Sequence, residues 1–319
     1  MKKILVTGAC GQIGSELVPA LRSKYGDQNV VAAGHVTPVP KEMLVGPCAY
    51  VDVSKYDEVD SIIQEYRIDT VFHLASVLSA LAEQKRQIAY DVNFTGANNI
   101  LEASLAHGLK TVVIPSSIAA FGPGTPLDNT PNDTVQKPNT VYGISKVFSE
   151  LMGNYYSTKL NLQVRGVRLP GIISWKVEPT AGTTDYAVSI FYGAIRKNKY
   201  QCFLGPDTRL PMMYMPDAIS ALIDVAEADS SKLKHHSDFN VNAMSFTPTE
   251  LAAAIRKRLP GFQITYEIDD LRQGIADSWP DKLDDRVATE EWGWAPRYDL
   301  DLMVDDMLDN LRRKLDAST

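Results

Sequence analysis

The sequence predicts an α/β protein with a doubly wound parallel sheet and a smaller C-terminal domain. Short apolar segments, rich in β-branched residues, alternate with amphipathic helical segments over residues 1–170. Strands of this composition are buried on both faces, because helices cover both sides of a parallel sheet. A glycine-rich turn follows the first of these segments, and such a turn between strand and helix is typical of the same fold class.

Strands are predicted where a short apolar run ends at a turn residue, and helices where apolar residues recur three or four positions apart. The predicted strands cover residues 3–7, 30–33, 69–75, 111–115 and 163–169. The predicted helices cover residues 13–21, 59–66, 93–107 and 142–156. Beyond residue 169 the alternation stops, and the clearest helical spacing is at residues 248–259 and 300–311. We therefore predict a first domain at residues 1–170 and a second one, interleaved with it, at residues 171–319.

Charge, hydropathy and cysteine content indicate which kinds of partner this protein does not bind. The net charge of −7 differs from the basic balance of a nucleic-acid binder. The N-terminal apolar run is shorter than a secretory signal requires, and no run approaches the length of a membrane span. The three cysteines show no metal-ligand spacing, and their low number fits a reducing compartment. We therefore expect a cytoplasmic protein that binds no nucleic acid, no membrane and no metal.

A glycine-rich turn joins the first predicted strand to the first predicted helix. Gly8, Gly11 and Gly14 follow the spacing G-x-x-G-x-x-G, with Gln12 and Ile13 between the last two. Glycine permits a tight turn and lets backbone N–H groups approach a pyrophosphate, toward which the helix directs its positive end. In this strand–turn–helix context the turn predicts a dinucleotide-binding loop. A purely structural turn is the alternative.

The end of the second predicted strand carries no acid. An acid there usually binds the 2′-hydroxyl of the adenosine ribose, but this sequence has Gly34 followed by His35. A main-chain or His35 contact would serve NAD, whereas His35 and Lys41 would tolerate a 2′-phosphate. Asp52 and Val53 follow another short apolar run. An Asp followed by an apolar residue can hold the adenine, so Asp52 and Val53 are predicted to bind the cofactor. The alternative for the Asp is the N-cap of the next helix.

Tyr142 and Lys146 form a Y-x-x-x-K pattern at the start of a predicted helix, with Thr140 as its N-cap. Residues four positions apart lie on the same face of a helix. A free tyrosine has a pKa of about 10, and a neighbouring ammonium favours its phenolate form. The pattern therefore predicts that Tyr142 is a general base for an alcohol proton and that Lys146 lowers its pKa. Taken alone, the same pattern also occurs on ordinary surface helices.

Two serines follow the predicted strand at residues 111–115. Ser116 and Ser117 therefore lie at the carboxyl edge of the sheet, where ligands bind in open α/β proteins. A hydroxyl at this edge can orient a substrate oxygen. Together with the glycine turn and the Tyr142–Lys146 pair, the serines predict a nicotinamide-dependent oxidoreductase.

Six segments give the chain a resemblance to the extended short-chain dehydrogenase/reductase family over nearly its whole length. They are TGACGQIG (7–14), VFHLAS (71–76), DVNFTGANNILEAS (91–104), PSSIAAFG (115–122), YGISK (142–146) and RLPGIIS (168–174). The resemblance implies a Rossmann fold, NAD as cofactor, and catalysis by Tyr142, Lys146 and Ser117, with Lys146 on the nicotinamide ribose. It also implies a cofactor lining formed by Leu74, Ala75, Ser76 and Leu169.

Two polar residues within these segments each have two interpretations. His73 lies in an apolar strand, where a core or cofactor-adjacent position is favoured over a catalytic one. Asn93 is predicted among the cofactor-binding residues, with a structural hydrogen bond between strands as the alternative. The resemblance also implies a homodimer formed through the helices at residues 97–107 and 142–156, although an apolar pattern cannot separate a partner from the core.

Many members of this extended family act on nucleotide sugars through an R-D-Y-x-H-V-x-D stretch, whose Arg meets the pyrophosphate. Counting back from Asp217, this chain has Leu210 where that Arg would stand, and Arg209 is one position off. An anion without its bidentate partner binds weakly, so the sequence disfavours a nucleotide-sugar epimerase or dehydratase. A non-catalytic NAD(P)-binding regulator is a further alternative, but such proteins commonly lack the Tyr or the Lys.

The second half resembles the threonine-oxidising branch of the family. The matching segments are PGIIS (170–174), TAGTTDY (180–186), PMMYMPD (211–217), IADSWPDKLDD (275–285) and WGW (292–294). The resemblance implies oxidation of L-threonine at its Cβ hydroxyl with NAD, giving 2-amino-3-oxobutanoate. The predicted substrate contacts are Ser79, Ser116, Ser117, Tyr142, Thr184 and Trp279. Ordinary interdomain packing is the alternative for Trp279.

Overall fold

The computed structural model describes residues 1–179 and 182–317; Thr180 and Ala181, which open the TAGTTDY segment, and the last two residues lie outside the described part. In chain order the described strands are β1 (Ile4–Thr7), β2 (Val30–Gly34), β3 (Cys48–Tyr50), β4 (Thr70–His73), β5 (Thr111–Val113), β6 (Ser116–Ser117), β7 (Gln163–Arg165), β8 (Val167–Leu169), β9 (Gly171–Ile173), β10 (Lys199–Cys202), β11 (Leu210–Tyr214), β12 (Phe239–Asn240), β13 (Met244–Phe246) and β14 (Gln263–Tyr266). The described α-helices are α1 (Gly14–Tyr25), α2 (Tyr56–Tyr66), α3 (Ser79–Gln84), α4 (Arg86–Ala89), α5 (Ala97–Ala106), α6 (Val141–Lys159), α7 (Tyr186–Lys197), α8 (Met215–Glu227), α9 (Pro248–Arg258), α10 (Asp270–Ala276), α11 (Arg286–Trp292) and α12 (Leu300–Asp316).

A six-stranded sheet with the order β3-β2-β1-β4-β5-β7 forms the centre of the first domain, and all its neighbouring strands run parallel. Strands β1 and β4 are buried along their whole length, as helices on both faces require. The strand order reverses between β1 and β4, and open α/β sheets bind ligands at such a switch point. The predicted doubly wound parallel sheet is confirmed.

Two neighbouring predicted strands are each split near the carboxyl edge of the sheet. The first divides into β5 and β6, and the second divides into β7 and β8 at Gly166. The second break has a steric cause, since a Cβ on Gly166 would lie 2.5 Å from the Ser237 carbonyl oxygen and 2.7 Å from that of Ile114. Beyond the breaks, β6 and β8 pair with each other and set Ser117 opposite Leu169. The two serines therefore belong to a separate small sheet, β12-β8-β6.

Later parts of the chain pack against the first domain. Residues of α8 and β12 share one core cluster with β1 and α1, in which Ile4 and Leu17 meet Ala218 and Phe239. The boundary predicted at residue 170 therefore does not separate two independent cores, because the chain returns to the sheet after β11. A second cluster, built mainly from α7, α9, α12 and β11, forms the core of the C-terminal part.

One helix begins differently from its prediction. The helix expected over residues 93–107 starts as a π-helical turn at Tyr90–Gly96 and continues as α5. Turns of this kind occur frequently at functional sites. Across residues 1–179 and 182–317, no helix combines the length and the apolarity that crossing a bilayer demands. The cytoplasmic location stays a prediction.

Candidate active site

The turn between β1 and α1 depends on two glycines for its shape. Gly8 has a φ of 67°, and a Cβ there would lie 2.7 Å from the backbone nitrogen of Ala75. A Cβ on Gly14 would lie 2.4 Å from the Gly8 carbonyl oxygen. The packing of the protein itself therefore requires both glycines. It also brings Leu74 and Ala75, at the end of β4, against the turn.

Gly11, the middle glycine, serves a different purpose. It is exposed, and a Cβ there would have only the Gly8 carbonyl oxygen within 4 Å, at 3.2 Å. Gln12 and Ile13 are partly exposed beside it, and within the described chain no side chain caps the N-terminus of α1. Ser15 already donates its backbone N–H to Gly11, and Glu16 and Leu17 donate theirs to Ile13. The backbone N–H groups of Gln12, Ile13 and Gly14 are therefore the ones left for an anion. This open turn and uncapped helix fit the pyrophosphate of a dinucleotide.

The end of β2 leaves little room for the acid that often stands there. A Cβ on Gly34 would lie 3.2 Å from Cys10 Sγ and 3.3 Å from the Thr37 carbonyl oxygen. His35 is exposed instead, and its Nε2 lies 3.9 Å from Asp52 Oδ2. Contacts to an adenosine ribose at this edge therefore have to come from the backbone, from His35 or from Asp52.

Asp52 does not cap the next helix, because Lys55 is the N-cap of α2. One oxygen of its carboxylate accepts hydrogen bonds from Ser54 N at 3.1 Å and Ser54 Oγ at 2.7 Å, which hold the pKa of Asp52 below its usual range. Val53 is buried, and its carbonyl accepts a bond from Asn99 Nδ2 at 3.0 Å. The N-cap interpretation is therefore wrong. The second carboxylate oxygen lies 3.7 Å from Lys55 Nζ and 3.9 Å from His35 Nε2, and its contact with adenine stays a prediction.

The N-terminus of α6 approaches the serine edge unusually closely. Thr140 Oγ1 accepts from Gly143 N at 3.0 Å, and a Cβ on Gly143 would lie 2.2 Å from the Ala119 carbonyl oxygen. Ser117 Oγ in turn accepts from Ala119 N at 3.2 Å. This close packing sets Tyr142 beside the Ser117 hydroxyl, with which it interacts. Sequence reasoning missed Gly143, whose one signal was a glycine inside a helical pattern.

Burial favours the neutral form of the Tyr142 phenol. Desolvation raises the pKa of Tyr142 to about 12, and the hydrogen bond with Ser117 offsets only part of that rise. Lys146 Nζ lies over the Tyr142 ring, 5.3 Å from its centroid, which is a cation–π geometry. Burial therefore dominates the Tyr142 pKa, and the lowering of that pKa by Lys146 stays a prediction.

Lys146 is held in place by the backbone, since its Nζ donates to the Pro115 carbonyl oxygen at 2.9 Å. Desolvation lowers the pKa of Lys146 to about 8, against the opposing effect of the Glu150 carboxylate. Desolvation and the nearby Lys146 charge lower the pKa of His73 to about 3. The neutral His73 ring shares a 2.8 Å hydrogen bond with Thr7 Oγ1. His73 therefore ties β4 to β1, as the core interpretation predicted.

The two serines have separate roles. Ser116 is buried and donates a very short hydrogen bond to Glu150, whose carboxylate also accepts Arg168 Nε at 3.0 Å and Nη2 at 2.8 Å. Gln136 Nε2 reaches the same carboxylate at 2.7 Å. Successive side chains of a strand point to opposite faces, so only Ser117 lies on the face of Tyr142. The bond to Glu150 disfavours the predicted substrate contact by Ser116. Glu150 was missed, although it lies one helical turn beyond the Y-x-x-x-K pattern.

Asn93 uses its amide entirely within the protein. Its Oδ1 accepts from Val77 N at 2.7 Å, and its Nδ2 donates to the Val77 carbonyl at 3.0 Å and to Ser145 Oγ at 3.3 Å. Ser76 Oγ donates to the same Oδ1 at 3.3 Å. Asn93 therefore fastens the loop after β4 to α6, as the structural interpretation expects, and its contact with the cofactor stays a prediction.

Thr184, from the second half of the chain, lies near the serine edge. Its methyl carbon packs against Gly171, where a Cβ would lie 2.7 Å away. Gly171 begins β9 two residues after Leu169, which pairs with Ser117. Ser79 opens α3 after the switch point and is partly exposed. The sheet edge therefore gathers Ser117, Leu169 and Thr184 from segments far apart in sequence.

Three residues on which the choice of substrate depends are buried in the protein or bonded to its other side chains. Trp279 is 7% exposed in the large core cluster against which Tyr142 also packs, so its burial favours the packing interpretation. Leu210 is fully buried in β11. Arg209, the weak substitute for a pyrophosphate-binding arginine, lies 2.6 Å from Glu250 Oε1. The site therefore has no free arginine at the place where nucleotide-sugar enzymes carry one, within the described residues.

A wide groove of about 620 Å³ lies elsewhere, between α7 and the strands β10 and β14. Its lining includes Arg196, Lys199 and Tyr200, and none of the predicted site residues belongs to it. Converging acid–base groups identify an active site better than volume does. The edge that carries Ser117 and Tyr142 therefore remains the candidate site.

Known proteins resemble this chain over most of its length. Residues 4–241 match the NAD-dependent epimerase/dehydratase family. The chain is 44% identical over 315 residues to an uncharacterized epimerase/dehydratase of Staphylococcus haemolyticus, covering 98% of this chain and 99% of that protein. It is 44% identical over 306 residues to the mitochondrial L-threonine 3-dehydrogenase of Sus scrofa, covering 96% and 82%. The solved L-threonine dehydrogenase of Clostridium difficile has a TM-score of 0.96 and 47% identity, and the alignment covers 98% of both chains. The chain therefore belongs to the NAD-dependent epimerase/dehydratase family, and its cofactor is NAD.

Proposed function

We propose that this protein oxidises the Cβ hydroxyl of L-threonine to a ketone with NAD, giving 2-amino-3-oxobutanoate. The observation that carries the proposal is the meeting of Ser117, Tyr142 and Thr184 at one sheet edge beside the pyrophosphate turn. The full-length similarity to L-threonine dehydrogenases supports the choice of alcohol.

The chain's own residues supply the acid–base part of this reaction. Ser117 Oγ accepts from Ala119 N at 3.2 Å and keeps its own proton to donate to the substrate oxygen, which orients the hydroxyl. Tyr142 removes the hydroxyl proton as the C–O bond becomes a carbonyl. When bound, NAD accepts the hydride that leaves Cβ. Lys146, fixed on the Pro115 carbonyl, is placed to hold the nicotinamide ribose and to stabilise the ionised Tyr142.

A substrate screen tests this proposal directly. Purified protein with NAD and L-threonine at alkaline pH is expected to form NADH, and calorimetric titration with NAD present is expected to detect L-threonine but not UDP-glucose. Binding of UDP-glucose without threonine turnover would replace the proposal with a nucleotide-sugar enzyme. Binding of NAD with neither substrate would favour a non-catalytic regulator.

Asp52→Ala is expected to weaken NAD binding about tenfold and to leave kcat within about twofold. The carboxylate oxygen left at the sheet edge is our proposed acceptor for the adenine amino group, and hydrogen bonds to charged acceptors contribute about 1.5–3 kcal/mol. Calorimetric titration with NAD measures the change. Asp57→Ala is the control, because Asp57 is an exposed acid in the first turn of α2. If both variants weaken NAD binding equally, the loss comes from the change in the net charge of the protein and not from a contact of Asp52 with adenine.

The outer face of α6 suggests how two copies associate. Ile144, Leu151 and Tyr155 are exposed on it, spaced seven and four residues apart as one helix face requires. Contiguous apolar surface of this kind commonly marks an interface. We therefore propose a homodimer in which α6 packs against its copy. Helix α5 contributes less than the sequence suggested, since its exposed positions are Glu102 and Ala106.

Leu151→Glu is expected to convert this dimer into monomers, because it introduces paired like charges across a two-fold axis. Analytical ultracentrifugation measures the mass. Leu302→Glu, which changes an exposed leucine on α12, is the matched control and is expected to stay dimeric. A wild-type protein that sediments as a monomer refutes the proposed dimer.

A further inference from the structure

The segment that joins β9 to α7 begins at Ser174 and carries Thr184 near its end. Ser174 Oγ donates to Glu16 Oε1 at 2.5 Å, and Lys176 Nζ lies 3.2 Å from Glu16 Oε2. The backbone N–H of Lys176 also donates to Ser174 Oγ at 3.1 Å. Glu16 lies in the first turn of α1, two residues beyond Gly14. One carboxylate therefore connects the pyrophosphate turn to the segment that carries Thr184.

Glu16 occupies an enclosed, acidic place. Its side chain is 10% exposed, and Ser174 beside it is fully buried. Desolvation, the hydrogen bond to Asp306 and the Glu16 charge all raise the pKa of Tyr214, so two carboxylates lie near that phenol. Lys176 is the cation paired with Glu16 in the described chain. Charge-assisted hydrogen bonds are strong in such surroundings, because little water competes for them.

Helix α12 holds the same segment from the other side. Lys314 Nζ donates to the carbonyl oxygens of Trp175 at 3.3 Å and of Lys176 at 2.8 Å. Farther along, the Thr184 methyl packs on Gly171. Residues 174–176, which open the segment, are therefore attached to the C-terminal part by their backbone carbonyls and to the cofactor-binding helix α1 through Glu16.

We propose that Glu16 is a positioning residue for the substrate: by holding Ser174 and Lys176, it sets the place of Thr184 relative to the bound cofactor. The inference rests on the proposed function, in which Thr184 contacts threonine. Without the Glu16 carboxylate, the segment stays attached to α12 but loses its contacts with α1, the helix that follows the pyrophosphate turn. Displacements of about 1 Å weaken reactive arrangements strongly. The loss is expected to fall on threonine affinity rather than on NAD affinity, since the partners of the Glu16 carboxylate are Ser174 and Lys176, both on the segment.

Kinetics of the full-length protein with NAD test this role. Glu16→Ala is expected to raise KM for L-threonine about tenfold, with kcat and the Kd for NAD changed less than about threefold. Glu16→Gln keeps an acceptor for the Ser174 hydroxyl and is expected to give a smaller rise. The double variant Glu16→Ala/Lys176→Met is expected to be no worse than Glu16→Ala, because both changes remove one shared contact.

Lys24→Met is the matched control. Lys24 lies at the other end of α1 and pairs with Glu227 of α8 at 2.5 Å, so it also links α1 to a later part of the chain, but away from the Thr184 segment. Its KM for threonine is expected to equal that of the wild type. An equal rise in both variants would mean that any weakening of α1 has the same effect, and would overturn the positioning role.

Amide hydrogen exchange provides a readout that needs no turnover. In NAD-loaded protein, exchange at Thr183–Asp185 is expected to be about tenfold faster in Glu16→Ala than in the wild type or Lys24→Met. If the wild type does not oxidise threonine and exchange still depends on Glu16, the substrate proposal fails and the positioning role stands. Unchanged exchange together with unchanged KM overturns the positioning role, as does an equal loss of NAD and threonine affinity.

Discussion

Tyr142→Phe is expected to lower kcat for threonine oxidation about 1,000-fold, because the phenol oxygen is the group that accepts the substrate proton. The change removes one oxygen and keeps the ring over which Lys146 lies at 5.3 Å. The Kd for NAD is therefore expected to remain within about threefold of the wild type. Rapid-mixing measurement of NADH formation gives the rate, and calorimetric titration gives the affinity.

Tyr56→Phe is the control for this loss, since Tyr56 is an exposed tyrosine at the start of α2, on a different helix from Tyr142 and outside the proposed dimer face. The pH profile provides a second check. Burial holds the pKa of Tyr142 at about 12, so the ionised base is scarce at pH 7 and increases with each pH unit. We therefore expect kcat/KM to rise between pH 7 and 9. The rise is expected to be less than about tenfold per pH unit, because Lys146, with a pKa of about 8, loses its charge over the same range. A flat wild-type profile would contradict the assignment of Tyr142 as base.

Glu150→Ala is expected to lower the free energy of unfolding by about 3–5 kcal/mol, because it leaves the buried Arg168 guanidinium without its counter-charge. The side chains of this pair are 2% and 3% exposed, and the carboxylate also accepts bonds from Ser116 and Gln136. Removing it orphans several buried donors at once. Urea denaturation at pH 7, followed by tryptophan fluorescence, measures the change.

Two variants separate this effect from general causes. Asp301→Ala breaks an exposed ion pair with Lys257 and is expected to cost less than about 1 kcal/mol. Glu150→Gln keeps the volume of the side chain and removes its charge, so most of the loss is expected to remain. If Glu150→Gln unfolds with the same free energy as the wild type, then the lost volume of the side chain, rather than its lost charge, accounts for the destabilisation in Glu150→Ala.

The first-domain elements were predictable because both faces of a parallel sheet are buried, which imposes continuous apolar runs. Strand β1 and helix α6 begin within one residue of their predicted starts. The split between β7 and β8 was not visible, because its cause is the backbone of Ser237, far along the chain from Gly166. The sequence predicted that the two domains interleave, but not that α8 and β12 are the elements that return to the first core, since burial against distant residues leaves no local signature.

By itself, the sequence determined the features that depend on neighbours along the chain. Gly8 and Gly14 define a turn through local backbone conformation, and the spacing of Tyr142 and Lys146 puts both on one helix face. Only the tertiary structure decided which of Ser116 and Ser117 faces the site, because that depends on the pairing of β6 with β8 and on the Glu150 carboxylate beneath it. It also decided that Glu16 meets the segment carrying Thr184. Contacts of this kind join residues from distant parts of the chain, and their charge and shape match only after the two domains have packed together.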